Sequence, residues 1–166
     1  MTKTDNFYTL MIGNLMKYLQ FFLLIAFAQM TWANQCTDLM QKKDFYEASD
    51  VCQSMAQKGD KNAQFSLALM YYEGNGLMVD LAQAQKWMRK AALQNYNQAQ
   101  YNLGIMIANG QGSSADLVEA FAWLNIAAEN GYSAAADSVK QLGDELSSAE
   151  KDKAVKQIVI IKKSFK

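Results

Sequence analysis

The stretch "AQYNLGIMIANGQGSSADLVEAFAWLNIAAENGYSA", residues 99–134, decides the fold, because the 36 residues before it repeat its pattern without a gap. Residues 63–98, "AQFSLALMYYEGNGLMVDLAQAQKWMRKAALQNYNQ", are identical to it at 13 of 36 positions, whereas unrelated sequences would share about two. The identical residues, numbered in the earlier copy, are Ala63, Gln64, Leu67, Met70, Gly74, Gly76, Asp80, Leu81, Ala84, Trp87, Ala91, Ala92 and Tyr96. A period of this length is typical of proteins built from stacked helical units.

Weaker copies flank the two full units. Residues 44–63 align with residues 80–99, and residues 135–148 resemble a degraded first half of a unit. End units diverge in such arrays because they must cover a core that has no further neighbour. The sequence therefore predicts an N-terminal partial repeat over 34–62, full repeats over 63–98 and 99–134, and a degraded half-repeat with a C-terminal capping helix over 135–166.

Each unit is expected to form two helices, because its small and apolar residues recur at helical spacing. In the earlier copy these residues are Ala63, Leu67, Ala68, Tyr71 and Gly74 in the first half and Ala84, Trp87, Met88 and Ala91 in the second half. Asp80 and Asp116 stand where the N-cap of a second helix favours a carboxylate. Gly110 and Gly131 follow predicted helix ends, where a left-handed backbone is favoured.

The repeated unit resembles the Sel-1-like repeat, a relative of the tetratricopeptide repeat. The residues that carry the resemblance in the second copy are Ala99, Leu103, Gly104, Gly110, Gly112, Asp116, Ala120, Trp123, Ala127, Ala128 and Gly131. The resemblance implies an all-α fold, a right-handed α-solenoid of antiparallel helix pairs. It also implies binding of a protein or peptide partner, with no catalytic activity and no cofactor.

Two glycines in the second copy, Gly110 and Gly112, could belong either to a phosphate-binding loop or to a turn. A Walker loop needs a lysine and a preceding strand, and neither is predicted here. Ala115 stands where a dinucleotide-binding loop needs its third glycine. The same Gly-x-Gly pattern occurs at Gly74 and Gly76, so a turn between two helices explains both copies.

The sequence offers little chemistry for an enzyme. The chain has no histidine and only two cysteines, so the commonest general base and the commonest neutral metal ligand are missing. Ser148 and Lys151 match the Ser-x-x-Lys of penicillin-recognising enzymes, which leaves a secreted β-lactamase-like or peptidoglycan-binding hydrolase as an alternative. Ser147 and Glu150 predict instead a capping box that begins the last helix. Sixteen basic and sixteen acidic residues balance, which argues against a nucleic-acid partner.

The N-terminal region has the pattern of a secretory signal. Residues 17–33, "KYLQFFLLIAFAQMTWA", begin with a lysine, continue as an apolar run and end with small residues at the positions of a cleavage site. This pattern predicts a signal peptide over residues 1–33, with Met16 as the expected initiator, and export to the periplasm or exterior of a bacterium. The alternative is a membrane-anchored scaffold with an uncleaved helix, although the run is shorter than the roughly 20 apolar residues of a typical span.

Cys36 and Cys52 are equidistant from a predicted turn near Asp44. Residues equidistant from the turn of an antiparallel helical hairpin lie level with each other. We therefore expect a disulfide within the first hairpin, which an oxidising compartment would favour. A redox-active pair, which would prefer a C-x-x-C spacing, and two free thiols are the alternatives.

The first helix of each unit is expected to line the concave side of the array and to contact a partner. The stripe opposite its core positions consists of Ser66, Met70 and Glu73 and, one period later, Asn102, Met106 and Asn109. Methionine among small polar groups suits adaptable binding of a protein or peptide. The leading functional prediction is therefore a non-catalytic adaptor in the bacterial cell envelope.

The last predicted helix is the one locally basic part of the chain. Ala154, Ile158, Ile161 and Phe165 share one face of it, and lysines occupy much of the remainder. We expect the apolar face to cover the last unit as a cap. Contact with an anionic membrane or an acidic partner is the alternative role of this helix.

Overall fold

The computed structural model describes residues 35–165, so the predicted signal peptide over 1–33 lies outside the described residues. The described part contains eight α-helices and no strand. The helices are α1 (Gln35–Lys42), α2 (Phe45–Gln57), α3 (Lys61–Glu73), α4 (Leu81–Ala92), α5 (Asn97–Ala108), α6 (Leu117–Glu129), α7 (Ala134–Glu145) and α8 (Ser148–Lys163). The all-helical architecture predicted from the 36-residue period is confirmed.

Helices that are adjacent in sequence pack against one another from α2 to α7. The two full units form the pairs α3–α4 and α5–α6, and α4 also packs on α5, which joins the two units. The closing helix α8 packs on α6, the second helix of the last full unit. This arrangement is a helical solenoid, with α8 in the predicted capping position.

Aspartates begin four of the helices as N-caps. Asp44, Asp80 and Asp116 stand one period apart and accept hydrogen bonds from the backbone N–H of the residue three positions later, at 3.5, 2.9 and 2.9 Å. Asp60 caps α3 in the same way at 2.7 Å. These bonds satisfy N–H groups that have no partner inside the helix. The predicted caps at Asp80 and Asp116 are confirmed.

The Gly-x-Gly pairs form the turns between the two helices of each full unit. Gly74 and Gly110 have φ values of 80° and 66°, a left-handed backbone that glycine adopts without strain. The second glycine of each pair has a different role, since a Cβ on Gly76 would lie 2.2 Å from the carbonyl oxygen of Phe45. A Cβ on Gly112 would likewise lie 2.3 Å from the carbonyl oxygen of Leu81. Each turn therefore packs directly on the first residue of the preceding second helix.

The core is made of tryptophan, leucine and methionine against alanine. Trp123 is 1% exposed and Trp87 is 8% exposed. Ala84 and Ala120, which stand one period apart on the same helices, are completely buried. Small residues let the neighbouring helices approach closely, while the large rings fill the space between units.

Buried glutamines join each full unit to its neighbours. Gln100 is completely buried, and its Nε2 donates to the carbonyl oxygen of Ala92 at 3.2 Å and to Oδ1 of Asn95 at 3.1 Å. Its Oε1 accepts from Nδ2 of Asn130 at 2.8 Å. Gln64, one period earlier, bonds the carbonyl oxygen of Ala56 and the side chain of Gln94 in the same way. Glutamine thus occupies this position in both units because it makes the same polar contact within the core of each.

We expect Gln100→Leu to lower the free energy of unfolding by about 1–3 kcal/mol, because three hydrogen bonds are lost, to the carbonyl of Ala92 and to the side chains of Asn95 and Asn130. Urea denaturation measures the change. The control is Gln53→Leu, at an exposed position of α2, which should alter stability by less than about 0.5 kcal/mol. Equal stability of the two variants would show that the buried contact contributes nothing.

Candidate functional site

Two adjoining cavities lie along the first helices of the units. The cavity between α3 and α5 has a volume of about 200 Å³ and is lined by Leu69, Tyr72, Glu73, Met88, Tyr101, Asn102, Ile105, Met106 and Gln111. The second cavity, between α5 and α7, has a volume of about 310 Å³ and is lined by Ile105, Ala108, Asn109, Leu117, Leu124, Ser138, Gln141, Leu142 and Glu145. Ile105 lines both cavities, so they adjoin along α5, and we call the two together the groove.

The groove combines apolar walls with a few polar groups. Tyr72 and Tyr101 provide aromatic surface, and Nε2 of Gln111 donates to the Tyr72 hydroxyl oxygen at 3.0 Å. This bond connects α3 of the first full unit to the turn after α5 of the second. Glu73 and Glu145 are the charged residues among those that line the groove. A segment with apolar side chains and a cationic group would complement such a surface.

The groove contains four of the six residues predicted to contact a partner. Glu73, Asn102 and Met106 line the first cavity, and Asn109 lines the second. Ser66 and Met70 line neither cavity.

Met70 and Met106 are buried, whereas the sequence predicted that they would be exposed. Met70 is 0% exposed and Met106 is 3% exposed, and Ser66 is buried with them. Each methionine stands three residues after a buried leucine and seven after a buried alanine of the same helix, so helical spacing places it on the core face. The expectation that these side chains form an accessible stripe is therefore wrong, although Met106 still forms part of the floor of the first cavity.

Sequence reasoning missed the residues that provide most of the groove surface. Leu69 and Ile105 stand one period apart on α3 and α5, and both are half-buried. The sequence did contain a signal for this pair. Both units have an apolar residue at the same position, and that position lies outside the core spacing. Tyr72 has alanine, Ala108, one period later, so the period gave no indication of it.

The Ser-x-x-Lys motif lies at the beginning of α8. The Ser147 hydroxyl oxygen accepts from the backbone N–H of Glu150 at 3.4 Å, and the Glu150 carboxylate accepts from the backbone N–H of Ser147 at 2.9 Å. These bonds confirm the predicted capping box. Hydrogen bonds from Ser147 lower the pKa of Glu150. Ser148 itself is exposed in the first turn of the helix. The capping box therefore explains the sequence of this segment by its role in starting α8.

Cys36 and Cys52 form a disulfide that ties α1 to α2. Both residues are buried, at 1% and 0% exposure. The expected pairing across the first hairpin is therefore present.

Among residues 35–165, no three His, Cys, Asp or Glu side chains are grouped so that they could hold a metal ion. In the same range, no helix has the length and apolar character needed to cross a membrane.

Comparison with known proteins gives matches to one repeat family. A model of the Sel1 repeat matches residues 61–96 and 97–132. Each match has the 36-residue length of the predicted unit and begins two residues earlier. A comparison with the curated proteins finds no match.

Two solved structures are similar to this chain. One is a protective antigen present in uropathogenic Escherichia coli strains and displaying an SLR fold, with a TM-score of 0.76 and 27% identity. The match covers 82% of this chain and 30% of that chain. The other is a Sel1 repeat protein from Oxalobacter formigenes, with a TM-score of 0.55, 34% identity, and coverage of 57% of this chain and 39% of that chain. This chain therefore spans well under half the length of either. Over its described residues the chain is an all-helical solenoid, and residues 61–96 and 97–132 of it match the Sel1 repeat.

Proposed function

We propose that this protein is a non-catalytic adaptor of the bacterial cell envelope that binds a segment of another protein in the groove. Sel1 repeats generally mediate contacts between proteins, and the groove is the surface of the full units best suited to that role. The single observation that carries the proposal is that the two cavities adjoin along α5, where Ile105 lines both. A peptide-sized segment could thus contact both full units at once.

Export of the protein is supported by two independent features. Residues 1–33 have the composition of a signal peptide, and Cys36 is paired with Cys52 in a buried disulfide. Structural disulfides persist mainly in oxidising compartments such as the bacterial periplasm. Export places the partner in the cell envelope or outside the cell.

The partner segment is expected to be apolar with at least one basic residue. Leu69, Ile105 and the two tyrosines provide surface for apolar side chains. Glu73 and Glu145 provide negative charge without a lysine or arginine among the lining residues. Complementary charge increases the association rate and selects among partners more than it increases affinity.

We expect site-specific photo-crosslinking to capture the partner from the groove. A photoreactive phenylalanine derivative replaces Tyr72 or Tyr101, and irradiation of intact cells should give the same covalent adduct from both positions. Tyr46 is the matched control, because it is an aromatic residue on α2 that is 87% exposed and lies outside the groove. An adduct from Tyr46 alone, or adducts of different mass from the two groove positions, would contradict the proposed site.

A second variant tests whether the groove itself is occupied. Asn102→Arg places a long side chain in the first cavity, and it should reduce the adduct from Tyr72 by about tenfold, which corresponds to roughly 1.4 kcal/mol of binding free energy. Gln53→Arg introduces the same side chain on the exposed face of α2 and should leave the adduct yield unchanged. Equal yields from both variants would place the partner outside the cavity.

A further inference from the structure

The closing helix α8 has two apolar faces, and only one of them is covered. Ala154 is completely buried, and Ile158, Ile161 and Phe165 pack against the core, as the sequence predicted. Three further aliphatic residues of α8 face water. They are Val155, Val159 and Ile160, at 56%, 49% and 67% exposure. We call these three residues the outer strip.

Lysines surround the outer strip. The helix contains Lys151, Lys153, Lys156, Lys162 and Lys163, against the acidic residues Glu150 and Asp152. Five positive charges minus two negative charges leave α8 with a net charge of +3.

The lysines nearest the outer strip are free to contact a ligand surface. Lys156 precedes Ile160 by four positions and Lys163 follows Val159 by four, so both lie beside the strip. Lys162, by contrast, is paired with Glu129 of α6. The Glu150 carboxylate is engaged in the capping box with Ser147.

We propose that the outer strip and its lysines bind the surface of an anionic lipid bilayer. In this geometry the three aliphatic side chains enter the boundary between headgroups and acyl chains, while the lysine ammonium groups remain among the lipid phosphates. Each lysine near an anionic bilayer adds to the attraction. The helix lies parallel to the membrane and does not cross it, and its docked face keeps the solenoid attached.

The composition of the face favours lipid over a protein partner. Protein interfaces concentrate their binding energy in tryptophan, tyrosine and arginine, and α8 has none of these residues. Flexible lysines beside short aliphatic side chains suit a fluid anionic surface, which requires no fixed geometry from the ligand. The loop residues Met78 and Val79 are also exposed, at 90% and 60%. No lysine lies within six residues of them along the chain, so they provide an internal comparison.

The test is flotation of the purified protein with vesicles of phosphatidylcholine, with or without phosphatidylglycerol. We expect binding to the anionic vesicles and little binding to the zwitterionic ones. Lys156→Gln/Lys163→Gln should reduce the partition coefficient on the order of tenfold, and Val159→Ser/Ile160→Ser should reduce it comparably. Met78→Ser/Val79→Ser should bind as the unchanged protein does. All proteins share the same N-terminus, so any contribution of residues 1–34 is common to them.

Three results would overturn the proposal. The first is equal binding of all variants, the second is equal binding to both kinds of vesicle, and the third is self-association without lipid that the outer-strip variants abolish. The third result would assign the surface to a second copy of the chain. Since α8 lies outside the groove, photo-crosslinking from Tyr72 should be unchanged in the α8 variants, which separates a failure here from a failure of the proposed function.

Discussion

Replacing Trp123 with alanine is expected to lower the free energy of unfolding by about 3–5 kcal/mol, the largest loss from any single substitution considered. Trp123 is 1% exposed, so its removal leaves a cavity that the surrounding alanines are too small to fill. Its Nε1 also donates to Oε1 of Glu119 at 3.2 Å, and the same oxygen accepts from Arg89 of the preceding unit at 2.5 Å. The substitution therefore weakens both the core of one unit and its contact with the other.

Urea denaturation measures this loss, and two further variants separate its causes. Trp123→Phe keeps an aromatic ring but removes the N–H donor, so an intermediate loss is expected. Trp87→Ala removes the equivalent tryptophan of the first unit, which is 8% exposed and has the Lys90 ammonium 3.8 Å from its ring centroid. Because Trp87 is less completely buried, its loss should be the smaller one. A larger loss at Trp87 would show that the first unit, not the second, is the main source of stability.

Removing the disulfide is expected to destabilise the first hairpin by about 3 kcal/mol, the effect of closing a loop of this size in the unfolded chain. The variant Cys36→Ala/Cys52→Ala is suitable because both positions are buried and alanine is small and apolar. Solenoid units contact only their neighbours, so the effect should decrease along the array. We therefore expect faster amide hydrogen exchange in α1 and α2, with little change in α5 and α6.

Hydrogen exchange followed by mass spectrometry tests this distribution, with the oxidised protein as the reference. A reducing agent should reproduce the effect in the unchanged protein and have no effect on the double variant. Uniform acceleration of exchange over all eight described helices would instead mean that the array unfolds as one cooperative unit.

The 36-residue period predicted those features that a single unit defines by itself. Asp80 and Asp116 cap helices, and Gly74 and Gly110 adopt the left-handed backbone, because caps and turns depend on residues a few positions away. The tryptophans are buried for a similar reason, since helical spacing places them on the face shared by the pair.

The burial of Met70 and the groove were not predicted, for two different reasons. Met70 is buried because it stands three residues after Leu67 and seven after Ala63, so helical spacing places it on the core face of α3. The groove, by contrast, is lined by residues of α3, α5 and α7, and residues such as Tyr72 and Gln111 meet across 39 positions of sequence. Periodicity in one unit specifies helix faces but not how much of each face the next unit covers.

The close approach at Gly76 and Gly112 has a consequence for how such a chain could change in length. Gly76 meets the first residue of α2 and Gly112 meets the first residue of α4, so the two partners are separated by 31 residues in both cases. A tandem duplication of 36 residues would copy the glycine and the helix start together. The gene could therefore gain or lose one unit while every remaining turn kept a matching surface to pack on.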